Sequence, residues 1–180
     1  VFSIDKKGNF NHLRNIDSRH YLITEEDLFL KDNQLYLRTI TGLNYFYTCF
    51  AFSCNFPQFF LFDGNEVVLK NDYFKNSYLS KAEEIDKKIN EVYQYYQAID
   101  LSLVHDDYKK EGFTYLSPLI SCQAANYFLA GDKEKALSSI DSNFSKFSSK
   151  ASFLLNEDNK KVNLEDFKKE FLELINKRQN

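Results

Sequence analysis

Tryptophan and methionine are absent from this 180-residue chain, which also holds only five glycines, two prolines and three histidines. With neither Trp nor Met available, 18 Phe and 12 Tyr must supply the large apolar side chains of the interior. Five glycines spread singly exclude a P-loop and a dinucleotide fingerprint, because both need clustered glycine where backbone approaches phosphate. His12, His20 and His105 lack the four-residue spacing that sets two imidazoles on one helix face. His105-Asp106-Asp107 therefore reads as the solvated end of a helix rather than a metal site or a base with its orienting acid. There is no Gly-x-Ser-x-Gly elbow, and no cysteine has a local His. No catalytic residue, cofactor or metal is expected, and the chain reads as a non-enzyme.

Basic charge is also in short supply. The formal net charge is −3 and the pI near 5.7, with lysines scattered among acids, so the electrostatic footprint of a nucleic-acid binder is missing. No signal-peptide pattern is present; since residue 1 is Val, a removed leader stays open. Cys49, Cys54 and Cys122 are odd in number and contain no Cys-x-x-Cys pair. That pattern suits reduced thiols in a core and a reducing compartment, the cytoplasm, although oxidation of one pair stays open.

Between Arg38 and Asp63 there is no charge at all, and the stretch Thr39–Phe62 is crowded with aromatics. Its length is that of a membrane span, but Asn44, Ser53, Asn55, Pro57 and Gln58 interrupt it and no second span accompanies it. It reads instead as a central buried element. Tyr36, Ile40, Leu43, Tyr47, Phe50 and Cys54 trace a helical stripe, whereas Phe46, Phe50, Phe52, Cys54 and Phe56 also fit a strand. Propensity favours strand and uninterrupted length favours helix. On length, a helix ended by Asn55 and Pro57 is expected.

The rest of the chain predicts an α+β domain over 1–180, predominantly helical, with a mixed part at 1–76 and a helical part at 77–180. β-Hairpins are expected near 1–10 and near 59–70, the latter around Asp63-Gly64-Asn65. Thr24 with Glu25, Glu26 and Asp27 reads as a helix start, or Leu28–Leu30 and Leu35–Leu37 pair about Asp32-Asn33. Ser80-Lys81-Ala82-Glu83 has the form of a capping box opening a helix to about 105. Ser117-Pro118 reads as the start of a helix that Gly131 ends, and Asp132 as the cap of the next. A last helix is expected from Asn163, with Leu164, Phe167, Phe171 and Leu174 on its buried face.

Two acidic groups invite a docking reading: Glu25, Glu26 and Asp27, and Asp106 and Asp107 with Tyr93, Tyr95 and Tyr108 nearby. Carboxylates speed association with basic proteins, and tyrosine joins apolar area to a hydrogen bond. These eight residues are the candidate partner-binding set.

Phe113 to Ile140, FTYLSPLISCQAANYFLAGDKEKALSSI, resembles a single tetratricopeptide-type helical hairpin. The order of pieces over roughly 35–145 resembles helical immunity proteins of bacterial polymorphic toxin systems. There an apolar helix runs into a short strand pair, here FFLFDGNEVVLK, and later into a hairpin with a turn like Gly131-Asp132. The resemblance implies a small non-enzymatic protein that binds a toxin domain with a basic surface and blocks its active site. A helical scaffold holding a peptide in its hairpin groove is the alternative, and an enzyme with dispersed groups the third reading.

Overall fold

In a computed structural model of the chain, residues 2–4, 10–12, 22–43, 46–47, 53–63, 66–98, 112–148 and 162–178 are described. The fold is α+β with helices predominant. Two compact units are distinguished, Val1–Thr41 with Phe56–Phe74 and Gly42–Asn55 with Lys75–Asn180.

In the first unit, β1 (Phe2–Ile4) and β2 (Phe10–His12) form the expected N-terminal hairpin, with Ile4 opposite Phe10. Both readings of the following stretch are realised in succession. A single 3-10 turn at Glu25–Asp27 follows Thr24, and β3 (Leu28–Lys31) then pairs antiparallel with β4 (Gln34–Leu43). The turn residues Asp32 and Asn33 have φ of 50° and 61°. Asp and Asn tolerate this left-handed region, and two positive φ values give the type I′ turn whose twist matches that of paired strands.

β5 (Cys54–Phe62) and β6 (Val67–Leu69) supply the second expected hairpin, completing the strand order β3-β4-β5-β6. Alternation along each strand sorts side chains onto two faces. One is aromatic: Phe59 stacks on Phe74 at 3.7 Å, Phe29 on Tyr36 at 5.8 Å and Tyr36 on Tyr73 at 5.9 Å. A 3-10 turn at Asn71–Phe74 delivers those last rings, held by the Phe59 N–H donating to Asn71 Oδ1 at 3.1 Å. On the other face Leu37, Phe60 and Val67 are buried with Phe62 and Leu69 against them.

The helix expected within Thr39–Phe62 is therefore corrected to strand at 39–43 and at Cys54–Phe62, while 44–45 and 48–52 lie outside the described residues. The length argument treated Leu43–Cys54 as one element, yet Tyr47 has φ of 52°, which no right-handed helix contains. The strand propensity of Thr, Tyr and Phe agrees with the outcome, which pairing with neighbouring strands decided. Pro57, expected to end a helix, lies in the part of β5 that β6 does not reach, since their pairing starts at Phe60.

Four α-helices are described in the second unit: α1 (Lys75–Ala98), α2 (Gly112–Leu129), α3 (Lys133–Ser148) and α4 (Leu164–Lys177). Within this unit α2 is the helix that the other helices flank. It packs on α1 and on α3. Leu116, Ile120, Ala124, Ala125, Phe128 and Leu129 are all buried along it. No charge occurs from Gly112 to Gly131, and a helix apolar all round belongs inside.

Two expected helix starts move. α1 begins at Lys75, continuous with the preceding 3-10 turn, so Ser80 and Glu83 sit within it rather than capping it. Pro118 lies inside α2, and the Ser117 hydroxyl, instead of capping, donates to the Tyr47 carbonyl at 2.8 Å. The turn between α2 and α3 is as expected. Gly131 (φ 86°) and Asp132 donate backbone N–H groups to the carbonyls of Phe128 and Tyr127, both at 3.0 Å, and Asp132 Oδ1 caps the Lys135 N–H at 2.9 Å.

Asn163 caps α4 by accepting from the N–H groups of Glu165 and Asp166. Phe167, Phe171 and Ile175 are fully buried, each worth about 1.5–3 kcal/mol on leaving water. Leu164 and Leu174, expected on that face, are half-buried beside it. Phe46 meets Phe167 at 4.6 Å, and the Tyr47 hydroxyl donates to Glu170 at 3.1 Å.

Cys54 and Cys122 form a disulfide joining the start of β5 to α2, which corrects the reading of all three cysteines as reduced thiols. Pairing is a matter of distance, and the fold brings their Cα atoms to 5.2 Å across 68 residues of sequence. The inference from reduced thiols to the cytoplasm falls with it. Among the described residues no helix is long and apolar enough to cross a membrane.

Candidate protein-binding surface

The three acids at 25–27 prove unequal. Asp27 accepts from the Thr24 backbone N–H at 2.9 Å and from Arg38 Nε at 3.0 Å. The Thr24 N–H first, then the Arg38 guanidinium, hold its carboxyl below the usual carboxylate range. It closes the turn and is not available to a partner. Glu25 and Glu26 are exposed, with no ion pair among the described residues.

Around them lies a feature that sequence inspection missed. Leu22, Ile23, Leu28, Leu30 and Leu35 are exposed, Leu22 by 86% and Leu30 by 73%. Leu28 and Leu30 share one face of β3, and Leu30 stands opposite Leu35 in the hairpin. Single exposed leucines are ordinary, but five large aliphatic side chains within 14 residues of sequence form a feature of interaction surfaces. The available signal was the β3-β4 hairpin reading, in which Leu28 and Leu30 occupy one face of a strand.

The remaining candidates lie on the second unit. Tyr93 is half-buried, edge-on to Phe147 at 5.5 Å with Lys146 Nζ 5.5 Å from its ring, which makes it a packing residue. Tyr95 is 64% exposed on α1, its ring against Tyr96. Asp106, Asp107 and Tyr108 lie outside the described residues, as does His105.

A polar chain crosses the interface of α1, α2 and α3. Asp86 accepts from Gln123 Nε2 at 2.9 Å and Asn90 Nδ2 at 3.1 Å, and Gln123 Oε1 accepts from Asn143 Nδ2 at 2.7 Å. Lys146 donates to Asn90 Oδ1. Gln123 and Asn143 are buried, so the chain satisfies amides that would otherwise be costly. The cleft above it, between Lys135, Ser138, Ser142 and Lys146, holds about 200 Å³. That is below the usual 300–1,000 Å³ of a ligand site, and this network serves packing. A cavity of about 650 Å³ beside Phe144, Val162 and Asn163 has apolar walls with Asp141 and Glu165 at its margin. Among the described residues no cluster of His, Cys, Asp and Glu is suited to a metal ion.

The class that fold and surface define is an α+β, helix-rich chain with an exposed leucine-and-glutamate patch. No protein family, curated protein or solved structure matches it.

Proposed function

We propose that the chain is a non-enzymatic protein-binding module of the immunity type, which binds a bacterial toxin domain and neutralises it. The observation that carries this reading is the patch of Leu22, Ile23, Leu28, Leu30 and Leu35 beside Glu25 and Glu26. Apolar area at its centre would drive association, while the carboxylates at its rim steer a basic partner. The resemblance of residues 35–145 to immunity proteins supplies the toxin.

The gene immediately upstream is expected to encode a toxin domain, and co-expression with that domain tests the proposal. The wild-type chain is expected to restore growth, and Leu28→Lys with Leu30→Lys to abolish the rescue while leaving the circular-dichroism melt in place. Failure of the wild type to bind or protect overturns the immunity reading; undiminished affinity in the variant overturns the surface. A helical adaptor is the second reading, supported by the exposed Lys135, Ser138 and Ser142 and the half-buried Lys146 along α3. Charge reversal at the two lysines would then be the damaging change.

A further inference from the structure

The backbone of β3 offers more than its leucine side chains. A two-residue type I′ turn makes its flanking residues, Lys31 and Gln34, a hydrogen-bonded pair, and such pairs alternate along an antiparallel ladder. Phe29 and Lys31 therefore point their N–H and C=O groups inward to β4, and Leu28 and Leu30 point theirs outward. The Leu28 N–H is taken by the Glu25 carbonyl. The Leu28 carbonyl and both backbone groups of Leu30 face an edge where no described strand pairs, because β3 is the first strand of its sheet.

Natural edges are commonly blocked by an outward lysine, a proline or a bulge. β3 has no proline, and its one lysine is drawn onto the aromatic face, with Lys31 Nζ 4.3 Å from the Tyr73 ring and 4.6 Å from that of Phe74. The edge is short and apolar, and its surroundings are acidic. Residues 22–38 carry Glu25, Glu26, Asp27 and Asp32 against Lys31 and Arg38, a net of −2, with Asp27 held by Arg38 and Glu25 and Glu26 left exposed. Two copies pairing edge to edge would bring two such segments together and repel each other. An extended segment with basic charges is attracted.

We infer that β3 accepts, by strand addition, an extended segment of a partner protein with aliphatic residues at alternate positions and Lys or Arg between them. Aliphatic residues opposite Leu28 and Leu30 make the main-chain hydrogen bonds and pack on the leucines, while the basic side chains are attracted by the excess negative charge of the segment, Glu25 and Glu26 above all. This rests on the protein-binding reading of the same patch and specifies its mode.

The probe is the hexapeptide acetyl-Lys-Val-Lys-Val-Lys-Val-amide, titrated into the full chain by NMR, with two forms N-methylated at every valine or at every lysine. Shifts are expected at residues 24–35. Methylation at valine, which removes the N–H groups directed at β3, should weaken binding roughly tenfold or more, whereas methylation at lysine should change it by less than about threefold. Glu25→Gln with Glu26→Gln should weaken the parent peptide and steepen with falling salt the difference from wild type. Equal binding of the two methylated forms, absence of binding at about 5 mM, shifts elsewhere, or a dimer in sedimentation of the free chain each overturns strand addition. If such a failure accompanies loss of toxin binding in Leu28→Lys with Leu30→Lys, the patch remains the binding surface and only its mode is wrong.

Discussion

Reducing the bond between Cys54 and Cys122 should destabilise the second unit, to which both residues belong. The cysteines are 68 residues apart, and in the chain-entropy account a loop of that length loses about 4.4 kcal/mol of denatured-state freedom when cross-linked. A domain's whole stability is about 5–15 kcal/mol, so the cross-link would account for a large share. With a urea slope of about 2 kcal/mol per molar, reduction should lower the midpoint by about 2 M. Cys122 is half-buried and within reach of reductant, whereas Cys54 is 2% exposed. The assay is urea unfolding followed by circular dichroism, with and without phosphine reductant, beside a thiol titration of the denatured chain. Of the three cysteines, one free thiol is expected before reduction and three after. Three free thiols in the unreduced protein, or coincident unfolding curves, would refute the reasoning. Cys122→Ser should reproduce the reduced midpoint and become insensitive to reductant.

Phe167→Ala removes a fully buried ring that meets Phe46, Tyr47 and Phe144, and should cost about 3–5 kcal/mol in chemical denaturation. Asp86→Ala strips an acceptor from the buried Gln123 amide, with an expected loss of about 1–3 kcal/mol in the same measurement. Burial first, then the hydrogen bond and charge of Glu170, push the Tyr47 phenol up to about 12 from an ordinary value of 10.0. A raised folded value gives stability that is complete below the unfolded value and is lost between pH 10 and about 12, so Tyr47→Phe should flatten the alkaline limb of the stability profile in that window.

Local chemistry made several elements legible. Asp32-Asn33 and Asp63-Gly64-Asn65 marked their hairpins, Gly131-Asp132 its turn, and Asn163 its cap, because each acts through residues within a few positions of itself. The helix start assigned to Ser80 failed for a related reason. A capping box is optional for a helix already entered from the 3-10 turn at Asn71–Phe74, and its residues are equally at home on an exposed helix face. The uncharged runs from Gly112 to Gly131 and over Thr39–Phe62 each marked burial without fixing the element: Pro118 concealed the length of the helix, and the strands of the other run were expected as a helix.

The candidate surface was legible only in part. Glu25 and Glu26 stood out as charges, but Asp27 could be separated from them only by finding Arg38 beside it, 11 residues away. Sequence by itself determined the predominance of helix, the aromatic interior, the two central hairpins and the lack of known catalytic patterns, since composition, turn residues and periodicity act locally. Tertiary structure decided that 39–43 and Cys54–Phe62 are strands, that Cys54 pairs with Cys122 and that Leu28 and Leu30 stay outside. Those outcomes depend on which distant segments meet, and hydrophobicity along a chain does not say which apolar side chain finds a partner.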